Sequence, residues 1–176
     1  MRTGVGLASL VVVLLLGVPA FAAGGQKTFE AKGIGITFKY LEPFKQIAAV
    51  TFQKSAGSKA VARGAVALDK VNLIIVSRYN LRVAITAGNL AKFKREVDSV
   101  IAQLAGKPVS GKRTVHGGLP GYEYVISLTS PARAVSRMSV LFDGDVEYLI
   151  NCQSTPPQRT KLDAGCRVAL ATLKRR

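Results

Sequence analysis

The chain contains few residues whose types and spacing could support chemistry. Its only histidine, His116, stands before two glycines, and its only two cysteines are Cys152 and Cys166. A Ser-His-acid triad would have to use His116, but no Gly-x-Ser-x-Gly motif presents a serine nucleophile. We therefore interpret His116 as an exposed imidazole in a turn, and the sequence predicts no catalytic residue.

Metal and phosphate sites are also poorly supported by the sequence. The 10 carboxylates are scattered, and the closest set, Asp143, Asp145 and Glu147, fits an ordinary turn better than a weak calcium site. The segment from Lys54 to Lys59 lacks the spacing of a phosphate-binding loop and is typical of a polar turn. Two cysteines and one histidine are too few for a zinc site. We expect neither a metal ion nor a cofactor.

The first cysteine belongs to a predicted β-hairpin. Residues 133–152 alternate with period two on both sides of Asp143-Gly144-Asp145, which is typical of two strands and a tight turn. Pairing Phe142 with Val146 collects the apolar residues of both arms on one face, whereas a slip of one residue would scatter them. In this register Cys152 faces the core.

The second cysteine belongs to a predicted helix. Apolar residues from Leu162 to Leu173 recur at spacings of four, three and four, with Cys166 among them. Where this helix packs on the sheet, Cys152 and Cys166 could form a disulfide, which would stabilise the fold by roughly 3 kcal/mol. Two separate buried thiols are the alternative.

Residues 1–23 have the pattern of a secretory signal peptide. Arg2 precedes an apolar stretch from Val5 to Val18, and Ala20-Phe21-Ala22 is a small-x-small cleavage signal. We predict cleavage after Ala22 or Ala23, a secreted or extracytoplasmic location that permits disulfides, and one domain over residues 24–176. An uncleaved membrane anchor is the alternative, although the apolar stretch is short for a bilayer span.

The chain is strongly basic, with 25 Lys and Arg residues against 10 Asp and Glu residues and a formal net charge of +15. Such a protein is attracted to anionic surfaces, so the predicted partner is an anionic cell-surface polymer, lipid head groups or an envelope protein. Specific nucleic-acid binding is not expected, because few aromatic residues are interleaved with the basic ones. The charge could instead serve solubility alone.

Two groups of cations supply the candidate anion-binding residues. One lies on the exposed face of the first predicted helix, and the other at the C-terminus, where it would also offset the dipole of the last helix. The set comprises Lys92, Lys94, Arg95, Lys174, Arg175 and Arg176.

The other predicted elements indicate an α+β protein. Residues 90–104 have helical apolar periodicity, with Asn89 at the N-cap position and Gly106 ending the helix. Because most connections between strands are too short for a helical crossover, the sheet should be mainly antiparallel. The strand at 71–79 is apolar on both faces and is predicted to be central. The predicted strands, besides the hairpin, are 28–30, 34–40, 47–53, 60–68, 71–79, 109–115 and 121–128.

The order of these motifs resembles that of PsbP-like domains. The resemblance rests on residues 35–44, an extended segment leading into a proline-aromatic turn, and on Gly118-Leu119-Pro120-Gly121. Residues 143–152 and the helix bearing Cys166 are similar to secreted actinobacterial members of the group, the LpqN-type proteins. Phe44 stands where the family has a tryptophan, and the lipid-attachment cysteine of the lipoprotein branch is missing.

This resemblance covers nearly the whole chain after the signal segment. It implies an α/β/α sandwich with a central, mainly antiparallel sheet packed by helices. Members of the group are mostly non-enzymatic and include extrinsic subunits of photosystem II, a nuclear-import accessory factor and cell-envelope lipoproteins.

These observations predict a secreted, non-enzymatic binding or accessory domain of the bacterial cell envelope that contacts an anionic partner or a small ligand. Two alternatives stay open. An enzyme of unrecognised type, using dispersed carboxylates, predicts a concave pocket where two or more Asp, Glu or Tyr residues converge. An extrinsic structural subunit of an envelope or photosynthetic membrane complex predicts an exposed apolar patch.

Overall fold

The computed structural model describes residues 25–47, 60–128 and 133–176. The predicted signal segment, the predicted turn from Lys54 to Lys59 and most of the strand predicted at 47–53 lie outside these residues. The described elements, in chain order, are β1 (Gln26–Phe29), β2 (Ile36–Leu41), β3 (Lys45–Ile47), β4 (Ala62–Ala67), β5 (Leu73–Ile85), α1 (Leu90–Ala105), β6 (Lys112–His116), β7 (Leu119–Ser127), β8 (Val135–Ser154), a 3-10 turn (Pro156–Gln158), α2 (Arg159–Ala171) and β9 (Lys174–Arg175).

The strands form two antiparallel sheets. The larger sheet has the order β3-β4-β5-β8-β7-β6, and the smaller has the order β1-β2-β9. Every neighbouring pair in both sheets is antiparallel. The predicted α+β class and antiparallel sheet are confirmed, and β5 is an interior strand, as its two apolar faces predict.

β8 reverses direction near its middle. Residues 135–141 pair with β7, and residues 144–153 pair with β5. Ser136 and Asn151 are 15 residues apart, and a straight strand of that length would span about 50 Å. The Ser136 hydroxyl nevertheless donates a hydrogen bond to the side-chain oxygen of Asn151. The two arms of β8 therefore lie side by side, and Gly144, with a φ of 60°, allows the sharp bend. The predicted hairpin is therefore present, with both of its arms inside the single strand β8.

The register predicted for this hairpin is wrong. Met138, Val140 and Phe142 of the first arm lie in one apolar core, whereas Tyr148 and Ile150 of the second arm lie in the other. Pairing Phe142 with Val146 would have placed all of them on the same face. The prediction assumed one buried face, but both faces of this sheet are buried, so apolar residues on either face are equally acceptable.

The two helices cover opposite faces of the large sheet, as in an α/β/α sandwich. α1 packs with β7 and the first arm of β8, in a core that contains Leu90, Ile101 and Tyr124. α2 and β2 pack on the other face, in a core that contains Phe38 and Leu162. The two faces therefore have separate apolar cores, each closed by one helix.

α1 occupies the predicted span, and Gly106 ends it in the left-handed conformation. Asn89 holds the N-cap position, but its side chain makes no hydrogen bond to the helix amides. The side chain instead accepts a hydrogen bond from the Thr86 amide at 2.7 Å and donates one to the Ala84 carbonyl at 2.9 Å. Asn89 thus closes the loop before the helix, and its predicted capping role is wrong.

The C-terminus differs from the predicted helix end. α2 stops at Ala171, and Lys174–Arg175 form β9 against residues 36–37 of β2. The Arg176 amide also donates to the Gly35 carbonyl at 3.0 Å. Because the free edge of β2 offers backbone hydrogen bonds, the last residues extend the small sheet and do not continue the helix. The predicted interaction of these cations with the helix dipole is therefore wrong.

Candidate functional site

A cleft opens between α2 and the neighbouring part of the large sheet. Its volume is about 620 Å³, which lies within the usual range of small-molecule sites. β6, β7 and β8 supply one side, and α2 supplies the other. We call it the α2 cleft, and its lining residues are His116, Glu123, Arg137, Asp163, Cys166, Arg167, Leu170 and Ala171.

Strand alternation explains why three charged or polar side chains share the sheet side of the α2 cleft. Lys112 pairs with Glu123, and Glu123 pairs with Ser139. Paired residues share a face, as do residues an even number apart on one strand. His116 is four residues after Lys112, and Arg137 is two residues before Ser139. His116, Glu123 and Arg137 therefore point from three adjacent strands toward α2.

His116 is held by its neighbours. Its Nε2 lies 2.8 Å from Glu123 Oε1 and 3.1 Å from Thr114 Oγ1. The imidazole is 21% exposed and the Glu123 side chain 28% exposed. The prediction of an exposed imidazole in a turn is wrong, because His116 is the last residue of β6 and only Gly117 and Gly118 form the turn.

The arrangement around His116 is not that of a catalytic relay. In a triad the hydroxyl and the carboxylate contact different ring nitrogens, so that one orients the imidazole while the other loses its proton. Here Thr114 and Glu123 both contact Nε2. Glu123 can accept a hydrogen bond from a protonated Nε2, which leaves Nδ1 as the nitrogen available to a ligand.

The remaining charges of the α2 cleft come from both sides. Arg137 lies on β8, while Asp163 and Arg167 lie one helical turn apart on α2. Within the described part of the chain, neither guanidinium forms an ion pair. Leu170 and Ala171 add apolar surface on the helix side. The α2 cleft thus combines two guanidinium groups with an apolar wall.

The β6–β7 turn meets the end of α2 beside the cleft. Gly117 and Gly118 have φ values of 57° and 76°, as a two-residue hairpin turn requires. A Cβ added at Gly117 would lie 2.7 Å from the Leu173 carbonyl oxygen, whereas one at Gly118 would have no neighbour within 4 Å. The close contact at Gly117 fixes the turn against the segment that follows α2.

The disulfide fixes the other side of the α2 cleft. Cys152 and Cys166 are bonded with an S–S distance of 2.07 Å and a Cα–Cα distance of 6.1 Å. Both residues are buried, and Cys166 also lines the cleft. The bond joins α2 to the second arm of β8, as the sequence predicts. A covalent link therefore sets the position of the helix that carries Asp163 and Arg167.

The candidate anion-binding residues predicted from the sequence lie elsewhere. Lys92 and Arg95 are exposed on α1, and Lys174 is exposed on β9. The other three predicted cations are in ion pairs, Lys94 with Asp98 at 2.6 Å, Arg175 with Asp143 at 3.0 Å, and Arg176 with Glu30 at 3.4 Å. None of the six lines the α2 cleft, and their role in anion binding stays a prediction.

Sequence reasoning missed Arg137 and Arg167. Arg137 precedes the alternating apolar residues of β8 and lies on the opposite face from them, and Arg167 follows Cys166 one helical turn after Asp163. Neither arginine is a signal in the sequence, because charged residues are common on strands and helices that face solvent on one side. Only the crossing of α2 over the sheet brings the two guanidinium groups to one cleft.

A second polar cluster holds α1 to the sheet. Asp98 accepts hydrogen bonds from the Tyr124 hydroxyl at 2.8 Å and the Gly111 amide at 3.0 Å, in addition to the Lys94 ammonium. Partial burial alone would raise the pKa of Asp98, but these donors hold it below its usual range. Burial and the nearby carboxylate raise the pKa of Tyr124, which therefore stays a donor. These contacts stabilise α1 on its sheet and involve no cleft residue.

The acidic residues of the β8 bend do not converge. Asp143 pairs with Arg175, while Glu147 lies on the strand beyond the bend. In the described ranges, no three His, Cys, Asp or Glu side chains are grouped so that they could hold a metal ion.

The helices of those ranges are also too short or too polar to cross a membrane.

The fold is that of PsbP-like proteins. The solution structure of cyanobacterial PsbP from Synechocystis sp. PCC 6803 aligns with a TM-score of 0.58, 8% identity, and coverage of 92% of this chain and 99% of that protein. A crystal structure from Bacteroides thetaiotaomicron VPI-5482 aligns with a TM-score of 0.54, 10% identity, and coverage of 85% of this chain and 48% of that one. This chain therefore spans about half the length of the Bacteroides protein.

No family model and no curated protein matches the sequence. At these identities the structural comparisons establish the fold alone. The specific likeness to LpqN-type proteins stays a prediction.

Proposed function

We propose that this chain is a secreted, non-catalytic accessory domain of the bacterial cell envelope that binds a small ligand in the α2 cleft. The cleft itself carries this proposal. It is large enough for a small molecule, and it combines an apolar wall with a few charged groups from both sides. Its helix side is held in place by a disulfide. Such a site needs little reorganisation to bind.

The geometry of the charged groups supports binding without catalysis. His116 shares a single nitrogen with Thr114 and Glu123, so no hydroxyl is activated by a base that a carboxylate orients from the opposite side. The PsbP-like resemblance also implies a mostly non-enzymatic group. The extracytoplasmic location is supported by the predicted signal peptide and by the disulfide, because disulfides persist mainly in oxidising compartments.

A fragment screen on the full chain, read by ligand-detected NMR, tests the proposal. The probes are small aliphatic and aromatic alcohols, amines and carboxylates. Ala171→Trp places a large ring at the exposed helix side of the α2 cleft and should abolish binding. Thr160→Trp adds the same ring on an exposed position of α2 outside the cleft and should leave binding unchanged. Equal binding by both variants, or no binding by the wild-type chain, would contradict the proposal.

A catalytic role is the second candidate, because Glu123 and Asp163 both line the α2 cleft. This is the convergence of carboxylates in a concave pocket that an unrecognised enzyme predicts. Turnover of a common hydrolase substrate that is lost in both Glu123→Gln and Asp163→Asn would establish this role. Under the binding proposal, no turnover above that of a heat-denatured sample is expected.

Recognition of an anionic surface is a further candidate, because Lys92 and Arg95 are exposed on the same helix. It predicts that the chain sediments with vesicles containing phosphatidylglycerol and that added salt releases it. The double variant Lys92→Glu, Arg95→Glu should then lose sedimentation, and Arg159→Glu, which also reverses an exposed cation, serves as its control. Binding to neutral vesicles, or insensitivity to salt, would exclude this role.

A further inference from the structure

We infer that the α2 cleft takes a ligand with one carboxylate and an apolar body, and that protonation of His116 strengthens its binding. This inference rests on the proposed ligand-binding function of the α2 cleft and adds the chemical class of the ligand and its control by pH. Three features of the cleft lead to it.

The first feature is the charge left over after internal pairing. Glu123 is engaged by His116 at 2.8 Å. The guanidinium groups of Arg137 and Arg167 form no hydrogen bond or ion pair in the described part of the chain, and Asp163 adds a second carboxylate to the lining. Guanidinium groups bind carboxylates with two parallel hydrogen bonds. When His116 is protonated it balances Glu123, and the cleft lining then carries one excess positive charge, which suits a single anionic group. With a neutral His116 the charges of the lining cancel.

The second feature is the position of Asp163. It lies one helical turn before Arg167 on the same side of α2, and both residues line the cleft. Its negative charge lowers the local potential and would repel a second anionic group on the ligand. Polyanions should therefore bind less well than a monocarboxylate. Leu170 and Ala171 beside these residues offer apolar surface to the rest of the ligand.

The third feature is the orientation of His116. Because Glu123 accepts from Nε2, the neutral imidazole carries its proton there and presents the lone pair of Nδ1, which would repel a carboxylate. The imidazolium carries protons on both nitrogens, so Nδ1 becomes a donor. The charged groups on its face of the sheet and across the cleft are Lys112 on β6, Glu123 on β7, Arg137 on β8, and Asp163 and Arg167 on α2. An anionic ligand should therefore bind more tightly to the protein with a protonated His116 than to the protein with a neutral one.

Isothermal titration of the full chain with three matched probes tests the inference. Hexanoate, hexan-1-ol and hexylammonium share one apolar body and differ only in the head group. Hexanoate should bind best, and its affinity should rise by about fivefold or more as the pH is lowered and His116 gains its proton. Arg137→Gln and Arg167→Gln should each weaken hexanoate by roughly tenfold. Arg159→Gln removes an exposed cation of α2 outside the cleft and should change nothing.

His116→Gln separates protonation from packing, because glutamine keeps a polar group but does not titrate. This variant should bind hexanoate with an affinity that no longer depends on pH. Retained pH dependence would overturn the role of His116, and hexan-1-ol binding as tightly as hexanoate would overturn the ligand class. If hexan-1-ol binds as tightly as hexanoate, loss of hexan-1-ol binding in Ala171→Trp would still support the ligand-binding function. Thermal melts of each variant show whether it is folded.

Discussion

The environment of Glu147 disfavours the charged form of its carboxyl group. It lies on the second arm of β8, and burial raises the pKa of its carboxyl group above the usual range. No hydrogen bond or ion pair to this side chain is found among residues 25–47, 60–128 and 133–176. The folded state therefore binds this proton more tightly than the unfolded chain does. Stability is lost as the pH rises from the unfolded pKa through the raised folded pKa.

Glu147→Gln should therefore raise the melting temperature at neutral pH, because glutamine avoids burying a charge. The gain should shrink as the pH falls and vanish below about pH 4, where the carboxyl group is protonated in both states. Thermal melts across this range measure it. Glu96→Gln removes the same charge from an exposed position of α1 and corrects for the change in net charge. A gain that is equal at all pH values would show that ionisation of Glu147 is not its source.

The β6–β7 turn tests how one element is held against another. Both of its glycines have positive φ, so alanine at either position should cost about 1–2 kcal/mol for the left-handed backbone. Gly117→Ala should cost more than Gly118→Ala, because only its Cβ meets the Leu173 carbonyl. Urea unfolding of both variants gives the two free energies. Equal values would mean that the turn does not contact the end of α2.

The disulfide is the covalent link between two elements, and its removal should be costly. The double variant Cys152→Ser, Cys166→Ser should lose roughly 3 kcal/mol of unfolding free energy, because a bond that closes a short loop restricts the unfolded chain. Thermal or urea unfolding measures this loss. The reduced wild-type chain should match the double variant. If the oxidised wild-type protein and the double variant unfold alike, the bond contributes nothing to stability.

At the scale of the whole molecule, the fold class and most elements could be predicted from the sequence. α1 was predicted almost to the residue, because its apolar spacing and Gly106 are local signals. The register of β8 could not be predicted, since it depends on helices that cover both sheet faces. The end of α2 was also missed, because β9 forms only when β2 is present to pair with it.

The candidate site was less predictable than the fold. His116, Glu123 and Arg137 come from three strands, and Arg167 comes from a helix that follows them. No spacing along the chain joins them, so only the packing of α2 on the sheet assembles the α2 cleft. The predicted candidates on α1 and at the C-terminus were clusters in sequence. The cations that line the cleft are clustered in space alone.

The proposed export of the whole chain makes a prediction about its mature end. The protein recovered from outside the cytoplasm should begin at Ala23 or Gly24, because the apolar stretch before the small-x-small signal is typical of a cleaved leader. Mass spectrometry of the exported protein measures this end. A secreted product that still carries Met1 or Thr3 would contradict cleavage. Ala22→Asp should block processing, whereas Lys27→Asp lies after the signal and should not.

The position of a bound carboxylate on the protein distinguishes the α2 cleft from the exposed cations of α1 and the C-terminus. A crystal structure of the chain with hexanoate would show this position. We predict that the carboxylate lies in the α2 cleft within hydrogen-bonding distance of Arg137 or Arg167, with the alkyl chain against Leu170. Hexanoate bound on α1 or at the C-terminal strand, with the α2 cleft empty, would contradict the account.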